Sequence, residues 1–396
     1  MSVPSVVLKP RKLTPFLHRH PWVLDSAIAR VTGHPADGDE VDLRDCSGDW
    51  IARGIYNSRS RIRVRLYSWT ADQELDLPFW RQRLEQAVRL RKVLGYDRPD
   101  EACRLVFSEA DALSGLIVDR FGSHLVVQPT ALATTVRLPA LLDTLVELTS
   151  PESITVRTDQ AISRREGIQI DAGSAYGHPP DGPLEIVEHG IRYRVQLLQS
   201  QKTGFYLDQR ENRRRVASFL SGRRVLDMCC YTGGFSLTAS RLGGAAEVVG
   251  VDTSESAVEH AREHAKLNEI ANVRFETGDC FQSLSQKAAA GERFSAIILD
   301  PPKFARSRDQ AGDALRAYHR LNRQAVDLLE PDGILVTCSC SGSVLREDFV
   351  DMLLGVATKT GRVIKILEQR GAAPDHPLNV ACTETEYLKC FICQVS

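Results

Sequence analysis

The sequence predicts an α/β protein whose C-terminal half is a parallel sheet covered by helices on both faces. Three observations carry this. From about Ile191 onward, short and nearly all-apolar runs alternate with amphipathic helical stretches. Four of those runs lead into an aspartate at their carboxyl end. Two blocks of different texture precede them. We therefore divide the chain into 1–72, a small β-rich module, 73–190, a compact α+β unit, and 191–396, the parallel sheet.

At 396 residues the chain is long for one core, so two or three domains are expected. Its 43% hydrophobic and 26% charged content is that of ordinary globular material. No apolar run approaches the roughly 20 residues of a membrane helix, and the start "MSVPSVVLKPRKLTP" lacks the continuous apolar core of a secretory signal. A cytoplasmic protein with no membrane partner is expected. The ten cysteines then read as reduced thiols, most of them inside apolar runs. Cys390 and Cys393 form one CxxC, but on a strand they face opposite sides. No second CxxC completes a zinc site, so no metal is predicted.

In the first block, turn signals such as "HPADGDE" and "DCSGDW" separate short strands. "RSRIRVRLYSW" alternates Arg59, Arg61, Arg63 and Arg65 with apolar residues, which on a strand makes one arginine face and one core face. Such a face is either merely solvated or a surface for phosphates. "PFWRQRLEQAVRLRKVLG" is a basic amphipathic helix starting at Pro78 and stopping at Gly95. Strand-like pieces and a helix around "RLPALLDTLVELTS" follow, up to the Pro/Gly-rich "GSAYGHPPDGP".

The third block places its polar residues where an open α/β sheet binds ligands, at the strands' carboxyl ends. The first strand ends in Asp227, followed by "MCCYTGGFS", where Gly233 and Gly234 let the backbone bend closely past a ligand. The turn lacks the GxGxxG spacing of dinucleotide binders. The second strand ends in Asp252, suited to two ribose hydroxyls. The third ends in "GDC", where Asp279 and the next backbone N–H meet an adenine edge. The fourth ends in Asp300-Pro301-Pro302-Lys303-Phe304, whose prolines stiffen the loop and present carbonyls to a planar substrate. Each aspartate alone has a plainer reading as a helix cap. Together they ask for a ligand with a sugar and a base but no phosphate, and S-adenosylmethionine, with its cationic sulfonium, fits.

The fifth strand ends in "VTCSCSG". Cys338 and Cys340 alternate on it, and the residues alone leave them as core filler, a metal pair, a disulfide precursor or a nucleophile.

In their order and spacing, "VLDMCCYTGGFSL", "GVD", "GDC", "LDPPKFA" and "TCSCSG" resemble the motifs of class I methyltransferases, and more narrowly those of the bacterial 23S rRNA cytosine-5 methyltransferase I family. "QKTGFYLDQRENR", Gln201 to Arg213, resembles that family's motif ahead of the first strand. The resemblance covers nearly the whole chain. It implies an N-terminal PUA-like domain, a middle α+β domain and a Rossmann-like class I methyltransferase domain, with S-adenosylmethionine as cofactor. It implies cofactor binding by Phe205, Asp208, Arg210, Asp227, Tyr231, Gly233, Asp252, Asp279, Cys280 and Asp300. The substrate implied is 23S rRNA or the large ribosomal subunit precursor, bound by a monomer or homodimer. In that light the arginine strand, through Arg61 and Arg63, turns toward RNA.

Cytosine C5 is too weak a nucleophile unaided, and a thiolate adding to C6 activates it. The resemblance aligns the nucleophile with Cys340, leaving Cys338 to pack in the core. Asp300 is expected to engage N3 and the exocyclic amine of cytosine, with Pro301, Pro302 and Lys303 lining the substrate site. Lys303 or the sulfonium would lower the thiol pKa. Cys229, Cys230 and Cys280 default to small buried residues. "HAREH" at His260 to His264 matches a zinc-peptidase pattern but lies on a helix covering the sheet. His376, in "DHP", is expected either at the substrate entrance or as a structural loop residue. Two other functions fit the same residues: a methyltransferase with a ring-nitrogen, exocyclic-amine or small-molecule acceptor, and a non-catalytic RNA-binding assembly factor.

Overall fold

The computed structural model of the protein describes residues 3–197, 205–305 and 308–396. Contacts divide the chain into two compact units. The first comprises Met1–Ile186, Val195–Leu207 and Pro374–Thr385, and the second Val187–Arg194, Asp208–Ala373 and Glu386–Ser396. The two N-terminal sequence blocks thus share one unit, and the stretch from Pro374 to Thr385 joins it from far along the chain.

The first unit holds a six-stranded sheet ordered Trp22–Leu24, Ile62–Ser68, Trp50–Tyr56, Glu40–Arg44, Ser5–Leu8, Ile28–Thr32. Val6, Val23, Val41, Leu43 and Val64 fill its core. A five-stranded sheet follows, Gly173–Gly177, Ser153–Val156, His124–Pro129, Leu116–Phe121, Ala102–Phe107. The helix Leu77–Val93 starts where Pro78 predicts, with the Asp76 side chain accepting from the Phe79 amide at 3.0 Å, and it buries Phe79, Trp80, Leu84, Ala87 and Val88.

The single arginine face expected on Ile62–Ser68 does not form. Arg61 is exposed and Arg63 half-buried, but Arg65 is buried, with Nη1 3.1 Å from Glu109 and Nη2 3.3 Å from Glu166. A buried guanidinium needs such partners, and both carboxylates come from sequence-distant elements.

The second unit is built on seven strands: β1 (Arg224–Met228), β2 (Glu247–Asp252), β3 (Val273–Thr277), β4 (Phe294–Leu299), β5 (Leu329–Ser339), β6 (Ile364–Arg370) and β7 (Lys389–Val395). Their order is β3-β2-β1-β4-β5-β7-β6, parallel except for β7, which runs antiparallel to both neighbours. Helices α1 (Gly234–Arg241), α2 (Glu255–Leu267), α3 (Cys280–Ala289), α4 (Ala311–Leu328) and α5 (Arg346–Thr360) connect them. Apolar side chains alternate between two cores. Leu226, Val249, Ile297 and Leu335 pack on one face, and Val225, Val248, Ile298 and Val336 on the other. Burial on both faces is why these strands read as unbroken apolar runs. Cys390 and Cys393 fall in opposite cores, as a strand requires.

Candidate functional site

The chain order reverses between β1 and β4, and a crevice at the carboxyl ends of such strands is where open α/β sheets place ligands. Asp227 is fully buried near the end of β1, with Oδ2 accepting from the Ser236 hydroxyl at 2.6 Å. Among the described residues Oδ1 has no hydrogen-bond partner. Burial pushes this carboxyl up to about 7; the Ser236 bond opposes the shift, and the charges of Asp300 and Asp252 add to it. Three predicted carboxylates therefore converge closely enough to feel one another, an arrangement that a bound cation would relieve.

The turn after β1 is tightly wound. Cys229 and Tyr231 adopt positive φ values of 62° and 49°, and Gly233 has φ 86°. The Tyr231 amide donates to Asp252 Oδ2, and the Ser254 amide to Oδ1, each at 2.9 Å. A Cβ on Gly233 would stand 3.0 Å from the Phe275 ring. Asp279 is exposed, and its Oδ1 accepts from the Phe281 and Gln282 amides, both at 3.0 Å, so capping α3 is the role its contacts describe. Cys280, in the first turn of α3, is half-buried, as is Cys229 in the turn after β1.

Of the motif ahead of β1, Gln201 to Gly204 lie outside the described residues. Phe205 is buried at the end of a segment belonging to the first unit. Asp208 Oδ2 accepts from the Tyr387 hydroxyl at 2.6 Å. Buried Arg210 lies 3.7 Å from Glu188, which also takes a bidentate pair from Arg213, both bonds 2.7 Å.

Asp300 is half-buried; Pro301 is buried, while Pro302 and Lys303 are exposed. β4 pairs with β5, Leu299 opposite Thr337, so the loop at Asp300 lies beside the one holding Cys340. The Ser341 hydroxyl donates to the Ala305 carbonyl at 3.1 Å and ties the two loops together. Cys340 is half-buried just beyond the strand. The charges of both Cys340 and Asp300 reach the Tyr318 phenol. Cys338 is fully buried, opposite the buried Cys390 across the ladder. It is core.

His376 belongs to the first unit. Buried, it is bonded through Nδ1 to Asp375 at 2.9 Å, with its ring 5.2 Å from Phe107. Asp375 in turn accepts from the Arg104 amide at 2.9 Å, and its carbonyl from Arg91 at 2.7 Å. Those contacts are structural.

Three residues escaped sequence reasoning. His264, in the zinc-like motif, is buried; its Nε2 accepts from the Arg194 amide at 2.9 Å and its Nδ1–H donates to the Thr232 carbonyl at 3.0 Å, pinning the glycine turn. Ser341 and Lys389 are the others. A lone lysine in the apolar "YLKCFIC" was the available signal. In the first unit His20, Cys382 and Glu384 also meet. The Trp22 amide donates to His20 Nδ1 at 3.2 Å, so Nε2 carries the ring proton and gives it to Glu384 at 3.3 Å. The Cys382 thiol donates to the same carboxylate oxygen at 3.6 Å. Hydrogen bonds account for that trio.

A family model of S-adenosylmethionine-dependent methyltransferases matches residues 98–386, and one of PUA-like domains matches 6–69. The chain belongs to the S-adenosylmethionine-dependent methyltransferase family. Ribosomal RNA large subunit methyltransferase I of Erwinia tasmaniensis is 36% identical over 397 residues, covering all of both chains. That of Tolumonas auensis is 40% identical over 388 residues, covering 97% of this chain and 98% of its own. The crystal structure of SMU.776 complexed with SAH superposes with a TM-score of 0.86 at 19% identity, covering 99% of this chain and all of that one. S-adenosylmethionine is thus the cofactor of this methyltransferase. The buried carboxylate of Asp227, reinforced by Asp252 and Asp300, suits its cationic centre, and the lone pairs left on Asp252 suit hydroxyl donors. No helix among the described residues is long and apolar enough to cross a membrane.

Proposed function

We propose that this methyltransferase forms 5-methylcytosine in 23S rRNA through a covalent adduct on Cys340. The observation that carries the reading is the pairing of loops: the Cys340 loop and the Asp300 loop end adjacent parallel strands and are hydrogen-bonded to each other through Ser341. A PUA-like module at residues 6–69 and full-length similarity to enzymes named for large-subunit rRNA support the substrate. The exposed Arg61 and half-buried Arg63 offer charge to phosphates.

In this reaction the Cys340 thiolate forms an S–C6 bond, and the C5=C6 π pair moves toward C5 as Asp300 steadies N3 and the exocyclic amine. The bound cofactor supplies the electrophilic methyl group that C5 takes up. Loss of the C5 proton to a base restores the double bond, and the S–C6 electron pair returns to sulfur. The target base must leave its stack to reach the thiol.

The test is methylation of unmodified 23S rRNA with labelled cofactor, followed by nucleoside analysis. 5-Methylcytidine is expected from the wild type and none from Cys340→Ala. RNA carrying 5-fluorocytidine, which has no C5 proton to lose, is expected to remain bonded to Cys340. A product methylated on nitrogen, or an active Cys340→Ala, would reject the reading.

A further inference from the structure

Lys389, the first residue of β7, is 3% exposed. Its Nζ donates to the Ser341 carbonyl at 2.5 Å and to the Tyr387 carbonyl at 2.9 Å. Carbonyl oxygens satisfy donors but do not neutralise charge. The charged and titratable groups that face this ammonium are Cys340, Glu386, Arg346 and Lys303. Glu386 is engaged by Arg346 at 2.5 Å, and among the described residues no carboxylate forms an ion pair with Nζ. A cation taken out of water without a counter-ion is expensive, and such groups concentrate where an anion forms during function. Burial pushes the Lys389 ammonium down to about 8, and an anionic Cys340 is the strongest influence opposing that. The partner carbonyl at Ser341 belongs to the residue directly after Cys340, so one side chain fixes the loop that carries the sulfur.

We propose that Lys389 is the positioning residue of the Cys340 nucleophile, holding its loop through Ser341 and serving as counter-cation to the thiolate. The proposal rests on the reading of Cys340 as the nucleophile. When the S–H bond breaks, the proton goes to solvent, Lys389 keeps its own, and the negative sulfur faces the ammonium. When S–C6 breaks, the electron pair returns to a sulfur in the same field. A lysine that only staples two carbonyls would do neither.

The test is alkylation of Cys340 by iodoacetamide across pH, with the labelled peptide quantified by mass spectrometry. In Lys389→Gln the pH midpoint of labelling is expected to rise by about one unit, slowing labelling at neutral pH about tenfold. Lys389→Arg is expected to stay close to wild type, and the KM for the cofactor to be unchanged in both. An unmoved midpoint in Lys389→Gln overturns the proposal. Should that variant fail to fold, Cys340→Asp and Cys340→Asn are compared instead. With Lys389 facing position 340, the aspartate variant melts at or above the asparagine variant at pH 7; a clearly lower melting point overturns the proposal. Methylation by Cys340→Ala would reject the C5 reading whatever the alkylation shows. An inactive Cys340→Ala with an unmoved midpoint rejects only the role of Lys389.

Discussion

The hydroxyl of Ser341 reaches the carbonyl oxygen of Ala305 across 3.1 Å, joining the loop that follows β5 to the one that follows β4. Both groups are buried, so no water replaces the bond if it is lost. Ser341→Ala is expected to cost about 1 kcal/mol of stability. The loss in kcat should exceed any change in the KM for the cofactor, because the bond sets one loop against the other. Urea denaturation and steady-state methylation check both.

Asp227 makes stability depend on pH. Its carboxyl ionises at about 7 in the folded protein, pushed up by burial, but near the ordinary 3.8 when unfolded. Between those values the folded state holds the extra proton. Its contribution is therefore fully present below about pH 4 and lost as pH rises through 7. In Asp227→Asn the amide oxygen can still accept from Ser236, and nothing titrates. The variant without cofactor should exceed the wild type by a few kcal/mol above pH 7 and converge with it toward pH 4. Urea unfolding at pH 4.5, 6 and 8 gives the comparison.

His264→Leu removes a buried ring that satisfies the Arg194 amide and the Thr232 carbonyl. Leaving a buried carbonyl and a part-buried amide without partners should cost about 2–3 kcal/mol. The glycine turn loses its support at Thr232, so cofactor affinity measured by calorimetry should fall as well. If the histidine were a zinc ligand instead, chelators would destabilise the wild type; no such effect is expected.

Glu188 is buried between Arg213 and Arg210. Glu188→Gln leaves both guanidiniums without their carboxylate and should cost about 3–5 kcal/mol. Arg213 Cδ lies 3.0 Å from where a Cβ on Gly234 would be, so this loss is also expected to loosen the turn and weaken cofactor binding. Thermal melts with and without cofactor measure the two effects together.

Local pattern made the sheet legible. Unbroken apolar runs such as "RVLDM" and "FSAIIL" marked strands buried on both faces, and their ends located Asp227, Asp252 and Asp300 before any geometry was known. Contacts between distant segments were not legible. Arg65 continues the alternation of Arg61 and Arg63, and only Glu109 and Glu166 turn it inward. Lys389 looked like an interruption of an apolar strand, since its carbonyl partner at Ser341 lies 48 positions away. Asp279 shows the opposite ambiguity: a strand-end aspartate and a helix cap are written identically in sequence, and its two amide contacts are those of a cap.

The seventh strand, though it follows all the others along the chain, lies between the fifth and sixth rather than at the margin of the sheet. During synthesis Ile364–Arg370 therefore emerges with no neighbour to pair with, and waits for Lys389–Val395 to arrive before it can dock. A nonsense codon upstream of Lys389 would therefore remove an interior stave of the sheet together with the ammonium group that holds the Ser341 carbonyl.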